Sequence, residues 1–445
     1  MRGSRVARDP APHRPSTGAT LPFDDDDEPE LTGERGSGTA RSPQAGIARH
    51  GRLRRPGPAR PVIRFLVAVV AVAAISAGSI AAIAAWDLSR TVAANSVDIS
   101  DGAALPPNLG GLDGGADILL VGSDSRDGQG DGFGDPKVVG TGRLNDATVL
   151  VHISADHTRA TAISFPRDML VDIPSCKSED GKSDVPGATH VMLNTALSRG
   201  GLGCVVRTIK SITGIDIPYA GVVQFKGVAA VSDAVGGVPV CLAKPIKDKY
   251  TSLDLPAGKD VVIQGKQAAE FLRTRHGVGD ASDIDRISNQ QVFLGALVRT
   301  VTSSGTLTNP AKVYEIARAV VENMSLSTSM DNPAAIASIA LTVKDIPADR
   351  FSFVQYPSVR RDDGRVDPDT QAGRELIGVV SSDSDFSLAP GSIGGGVQAP
   401  PSTPAPSASP GSADAGGTSA TPAPGTVLPK DVTGQTAAEE TCAHG

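Results

Sequence analysis

The sequence predicts an α/β (α+β) protein, with helices packed on a β-sheet, behind one N-terminal transmembrane helix. Three observations carry this expectation. Between residues 116 and 305, short apolar runs rich in Val, Ile and Ala alternate with segments of helical period, the pattern of helices packed on a sheet. Residues 65–85 read FLVAVVAVAAISAGSIAAIAA and contain no charge. Both ends of the chain are rich in Gly and Pro, and with 50 Gly and 33 Pro in 445 residues the folded part must be concentrated in the middle.

Residues 1–61 mix Arg, Pro, Gly and Ser with an acidic run from Asp24 to Glu28, and a disordered cytoplasmic segment is expected there. Residues 62–86 are expected to form the transmembrane helix, since 21 uncharged residues at 1.5 Å each reach roughly 31 Å, the thickness of a bilayer core. Six arginines, from Arg49 to Arg64, precede the span and Asp87, Asp98 and Asp101 follow it, so the N-terminus is expected in the cytoplasm and the rest outside the plasma membrane. Trp86 suits an interfacial anchor. A cleaved signal peptide would not usually carry so long a leader.

Residues 87–115 read as a linker. Strands are expected at 117–123, 148–153 and 160–165, the last two joined by a hairpin through SADHTR, then at 220–225 and 238–242 around a helix at 227–235. Helical spacing marks 193–196 and 205–212 around a Gly200-Gly201 break, then 266–272 and 284–302. Residues 306–380, with helices at 310–323 and 333–344 and a strand at 351–356, read as a small annex. Residues 381–445 read as a disordered Pro/Ser/Gly-rich tail.

The net charge of −7 argues against a nucleic-acid partner, which would require a basic surface. It is unevenly spread: residues 1–64 hold 12 Arg against 8 acidic residues, leaving −11 for the remainder. Four cysteines, Cys176, Cys204, Cys241 and Cys442, would meet an oxidising compartment, and Cys176 with Cys204 is the preferred disulfide. No zinc-ligand spacing, GxSxG or HExxH occurs, and Gly181-Lys182-Ser183 lacks the upstream glycine of a P-loop.

Arginines and carboxylates at strand ends and helix starts are the remaining chemistry. Arg273 and Arg275, if extended, would share a face, with Asp280, Asp283, Asp285 and Arg286 following. In the helix at 284–302, Ile287, Leu294, Leu297, Val298 and Val301 form an apolar face, and Gln290 falls on it one turn after Arg286. Burying Arg and Gln without partners is costly, which points to a site. The competing reading is an internal network of Arg286 with Asp280 or Asp283. Pro166 ends a strand and leaves Arg167 and Asp168 at the sheet rim. If the first two strands are neighbours, Asp124 and Asp146 approach each other, and paired carboxylates beside arginines suit Mg²⁺ and a phosphate group.

Taken together, DILLVGSDSR, LNDATVLVHIS, SFPRDM, MLNTALSRGG, VGGVPVC and FLRTRHGVGDASDIDRISNQQ resemble the LytR–CpsA–Psr proteins of bacterial envelopes over about residues 116–305. The resemblance implies a central mixed β-sheet flanked by helices, with a hydrophobic tunnel for an isoprenoid. It implies a phosphotransferase that moves a glycopolymer phosphate from a polyprenyl-pyrophosphate carrier onto peptidoglycan, with Mg²⁺ or Mn²⁺. By motif, Asp124 and Asp146 match the metal-binding carboxylates. Arg167, Arg273, Arg275, Arg286 and Gln290 match the pyrophosphate-binding set; Arg126 joins or orders that set and Asp283 orients an arginine. Of these, Asp124, Asp146, Arg167 and Arg275 are the expected catalytic group. Leu144 stands where many members carry Arg, with Arg143 one place early, and Asn289 replaces the Arg of a common Arg-Gln pair. A non-catalytic polyprenyl-phosphate-binding regulator is the alternative. Nothing in the sequence sets the oligomeric state or the identity of the glycan.

Overall fold

A computed structural model describes residues 59–94, 96–99, 114–125, 143–280, 282–303, 305–306, 309–330, 333–395, 397–398 and 426–444. The chain divides into two compact units, Met1–Ala68 and Val69–Gly445. Of the first, only the opening turns of a helix are described. That helix, α1 (Ala59–Ala94), contains a stretch, Pro61–Thr91, long and apolar enough to cross a membrane. It runs past residue 86, where the linker was expected to begin, because Asp87–Ala94 offers no helix breaker and Arg90 lies over the Trp86 ring at 4.3 Å. Residues 1–58, and most of the linker, lie outside the described residues.

In the second unit β1 (Ala116–Ser123), β2 (Asn145–Ile153) and β3 (Ala160–Phe165) form an antiparallel meander, with the expected hairpin between the last two. Next come β4 (Leu170–Ile173) and β5 (Ala188–Met192), a small ribbon that the sequence reading did not contain, and α2 (Ala196–Thr213). Gly200 and Gly201 are non-helical inside α2; Gly201 has φ +65°, and its neighbourhood is the predicted break. β6 (Tyr219–Val223), α3 (Phe225–Ala234), β7 (Val238–Leu242), β8 (Gly258–Ile263), α4 (Lys266–Arg273) and α5 (Asp283–Thr302) follow. α6 (Pro310–Asn323), β9 (Met324–Leu326), α7 (Pro333–Lys344), β10 (Phe351–Gln355) and α8 (Thr370–Ser381) complete the body. Three short strands close it: β11 (Val397–Gln398), β12 (Gly434–Thr436) and β13 (Cys442–Ala443).

The central sheet has seven strands in the order β9-β6-β1-β2-β3-β10-β12 and is mixed, with β1/β6 and β3/β10 parallel. Alternation along each strand splits its faces. Leu119, Val121, Leu150 and Ile163 point into one core, shared with Leu202, Val205 and Ile209 of α2 and Leu376 and Val380 of α8. Leu120, Val149 and Val151 point the other way, towards α3 and α5. A second core joins β7 and β8 to α4 and α5 through Val238, Val240, Phe271 and Phe293.

Two domain expectations change. Residues 306–380 are no annex, because β10 lies parallel to β3 inside the central sheet. Local pattern finds such a strand but not its place, which a long crossover decides. The tail is not uniformly extended: β12 pairs with β10, and β13 lies parallel to β7, where Cys442 is bonded to Cys241. The preferred Cys176–Cys204 disulfide is also present. Residues 399–425 lie outside the described residues.

Candidate active site

The site forms at the ends of β1, β2 and β3, against the start of α5. Register on β1 and β2 runs Leu120↔Val149 and Gly122↔Ala147, then shifts so that Ser123 faces Asn145. Asp146 is the extra residue of this bulge, a device that turns a side chain out of the ladder. Asp124 follows directly, its Oδ1 accepting from the Leu144 N–H at 2.7 Å. The two carboxylates are therefore neighbours, as the strand order required. Burial, reinforced by the charge of Asp146, raises the Asp124 carboxyl above its usual range; the Leu144 N–H and Arg167 oppose this.

Pro166 ends β3, and the turn that follows carries Arg167. Its guanidinium pairs with Asp146 and lies 3.4 Å from Asp168 and 3.6 Å from Asp283, while its backbone N–H donates to Asp283 Oδ2 at 3.0 Å. Burial works against the charged form, but the three carboxylates outweigh it and raise the pKa of Arg167. Across the site, Ser282 caps α5 by accepting from the Asp285 N–H. Arg286, one turn in, is 3% exposed; it pairs with Asp283 and donates to the Asp146 carbonyl at 2.8 Å. Burial lowers its pKa, helped by Arg167 and Arg275 and resisted by Asp283 and Asp146.

Arg273 and Arg275 are not extended on one face. Arg273 ends α4, where its guanidinium stacks over Phe225 at 4.1 Å, whereas Arg275 lies in the following turn, 3.3 Å from Asp283 and 3.5 Å from Asp168. Both still converge on the site, because Thr274, fully buried between them, is held through its Oγ1 by Asp248 at 2.6 Å. Gln290 donates to the Leu272 carbonyl at 3.0 Å and reaches the same place. The internal network foreseen as the competing reading is thus partly real, with Asp283 at its centre and Asp280 elsewhere, paired with Arg360. It is incomplete, however. The Nε atoms of Arg167, Arg275 and Arg286 are buried and have no hydrogen-bond acceptor among the described residues. Each guanidinium is ion-paired, yet these clustered N–H groups keep donor capacity that suits an anion with several oxygens.

A cavity of about 330 Å³ opens from this spot. Its walls are the β1/β2 face, α3 and α5, with Val151, Val231, Leu294, Leu297 and Phe353 among the lining, and its polar end is Asp146, Arg273, Arg286 and Gln290. α5 has more than the single apolar face foreseen: Gln290, Leu294 and Leu297 turn to the cavity, while Val292 and Ala296 pack into the β7/β8 core.

Arg126 lies outside the described residues. Arg143 is drawn off by Glu179, at 2.6 Å. Asn289 is fully buried and donates to the Phe271 carbonyl, tying α5 to α4. Asn145 is also structural, accepting from the Leu197 N–H. Sequence reasoning did not assign Asp168, although PRD contains it, or Phe225 and Asp248. Those two act on Arg273 and Thr274 from distant segments and leave no local signal.

Comparison with known proteins matches residues 87–373 to the LytR_cpsA_psr family. The cell wall biosynthesis protein LcpA of Corynebacterium glutamicum is 30% identical over 67% of this chain and 60% of its own length. A polyisoprenyl-teichoic acid–peptidoglycan teichoic acid transferase, TagU of Enterococcus faecalis, is 28% identical over 49% of this chain and 64% of its own. Alignment with these relatives therefore spans about three fifths of their length. Among solved structures, a LytR-Csp2A-Psr enzyme from Actinomyces oris is 22% identical with a TM-score of 0.47, covering 64% of this chain and 94% of that one. With its family match extending over well more than half its length, the chain belongs to the LytR_cpsA_psr family.

Proposed function

We propose that the protein is a membrane-anchored transferase that moves a glycopolymer phosphate from a polyprenyl-pyrophosphate carrier onto peptidoglycan. The single observation that carries this reading is an apolar cavity ending at buried Arg286, which shares Asp283 with Arg167 and Arg275, all three with Nε–H groups that make no hydrogen bond among the described residues. A lipid pyrophosphate has that shape: a hydrocarbon chain for the cavity and anionic oxygens for the guanidinium forks. The names of the relatives, a cell wall biosynthesis protein and teichoic acid transferases, support the same reading.

Arg167, Arg275 and Arg286 would hold the pyrophosphate, with Arg273 and Gln290 at the cavity mouth. Phosphoryl transfer depends chiefly on positioning and charge stabilisation, which this cluster supplies. The acceptor hydroxyl attacks the sugar-linked phosphorus, the P–O bond to the lipid-linked phosphate breaks, polyprenyl phosphate leaves, and the hydroxyl proton passes to solvent. Asp124 and Asp146 fit Mg²⁺ or Mn²⁺: they are hard donors whose mutual repulsion a divalent cation relieves. When bound, the ion would neutralise charge on the phosphates. α1 would anchor the chain in the plasma membrane with the N-terminus cytoplasmic and the site outside.

The test is transfer of labelled glycan from a polyprenyl-pyrophosphate donor to peptidoglycan with Mg²⁺ by the full chain. Incorporation that is lost in Asp146→Ala is expected; donor binding without incorporation or hydrolysis would favour the regulatory alternative.

A further inference from the structure

The chain has four tyrosines. Tyr219 and Tyr356 are each 3% exposed, but Tyr250 is 67% exposed, and it lies beside the arginine cluster. Its ring centroid is 4.4 Å from that of His276, the residue after Arg275, and Lys249 Nζ lies 5.1 Å over the ring. Single exposed aromatics are ordinary on protein surfaces, so position alone decides nothing. What sets this one apart is its mounting. Asp248, 2% exposed, accepts from the Tyr250 N–H at 2.9 Å through one oxygen. Its other oxygen accepts from Thr274 Oγ1 at 2.6 Å and the Arg275 N–H at 3.3 Å. Gly277 permits this closeness, since a Cβ there would lie 2.9 Å from Thr274 Oγ1 and 3.0 Å from Ile246. Asp248 thus ties the backbone of the tyrosine turn to that of the arginine segment.

The direction of the chain also matters. Arg273 lines the lipid-sized cavity, Thr274 is fully buried, and His276 emerges at the surface. His276, two residues beyond buried Thr274, therefore meets the Tyr250 ring at the solvent-facing edge of the cluster. We propose that Tyr250, with His276 and Lys249, is a sugar-binding platform that receives the acceptor glycan and holds its hydroxyl towards the phosphate. The aliphatic face of a pyranose ring packs on an aromatic face, and a rigid Tyr offers that area at low entropic cost. Lys249 and His276 supply hydrogen bonds for ring substituents. The assignment rests on the transferase reading above.

The experiment measures binding of a soluble peptidoglycan glycan-strand fragment to the full chain in nanodiscs by calorimetry, and donor hydrolysis and glycan transfer to that fragment on the same samples. Tyr250→Ala should raise the fragment Kd on the order of tenfold, roughly one aromatic contact. Tyr250→Trp should restore it, and the ratio of transfer to hydrolysis should fall with Tyr250→Ala. Unchanged fragment affinity in Tyr250→Ala, or a fragment that does not bind the wild type, would overturn the platform. Absence of all donor turnover by wild type would instead overturn the transferase reading, with the binding comparison still deciding the platform.

Discussion

Asp283→Asn perturbs the centre of the charge network. The Asp283 side chain is 8% exposed, pairs with Arg286, lies 3.3 Å from Arg275 and 3.6 Å from Arg167 Nε, and accepts from the Arg167 backbone N–H. Removing one partner of a buried ion pair costs about 3–5 kcal/mol. The Asn carbonyl keeps one of these hydrogen bonds and returns about 1 kcal/mol, so a net loss of about 2–4 kcal/mol is expected. At about 2 °C per kcal/mol for a domain of this size, Tm should fall by roughly 4–8 °C in calorimetry. The same substitution leaves three guanidinium groups with less compensating charge. Inorganic pyrophosphate, added to both proteins, should then raise Tm more in Asp283→Asn than in wild type. An unchanged Tm, or a smaller pyrophosphate shift in the variant, would refute the idea that Asp283 stands in for the ligand's charge.

Leu297→Trp should fill the cavity. Since each buried methylene contributes about 0.8 kcal/mol, losing room for two raises KM about tenfold for a long-chain polyprenyl pyrophosphate and leaves a short-chain analogue unaffected; equal effects on both chains would contradict a lipid cavity. Cys442→Ser opens a cross-link between residues 201 apart and should cost roughly 2–5 kcal/mol, read as a lower Tm than wild type under non-reducing conditions and no difference after reduction. His152 sits between Asp117 at 2.8 Å and Asp383 at 2.9 Å; burial disfavours its charged form, yet the two carboxylates prevail and raise its pKa. Its contribution to stability is then complete below the unfolded value near 6.5 and is lost as pH rises through the folded value, so Asp383→Asn should flatten the fall in Tm between pH 5.5 and 8.5. A pH dependence equal to that of wild type would contradict this.

Local signals made much of the fold legible. β3, α6 and α7 carry period and punctuation in a single segment, and their bounds match the sequence expectation. The arginines were legible for a different reason: a charged residue on an apolar face carries a desolvation cost that only a partner or a ligand offsets. What stayed hidden depends on distant segments. The placement of β10 beside β3, the return of Cys442 to Cys241, and the helical end that separates Arg273 from Arg275 are set by tertiary contacts. The bulge that exposes Asp146 is equally invisible, because it is a property of two strands in register rather than of either one.

An arginine cluster beside a lipid-sized cavity should turn over a lipid pyrophosphate. The most direct measurement is phosphate release from a polyprenyl pyrophosphate with Mg²⁺, comparing wild type with Asp146→Ala and Arg167→Ala under conditions where lipid binding is monitored in parallel. Turnover by wild type is expected, with a loss of at least roughly a hundredfold in each variant, the scale of removing one charge-stabilising group from a transition state. Tight binding of the lipid by wild type with no turnover, or full activity in both variants, would contradict it.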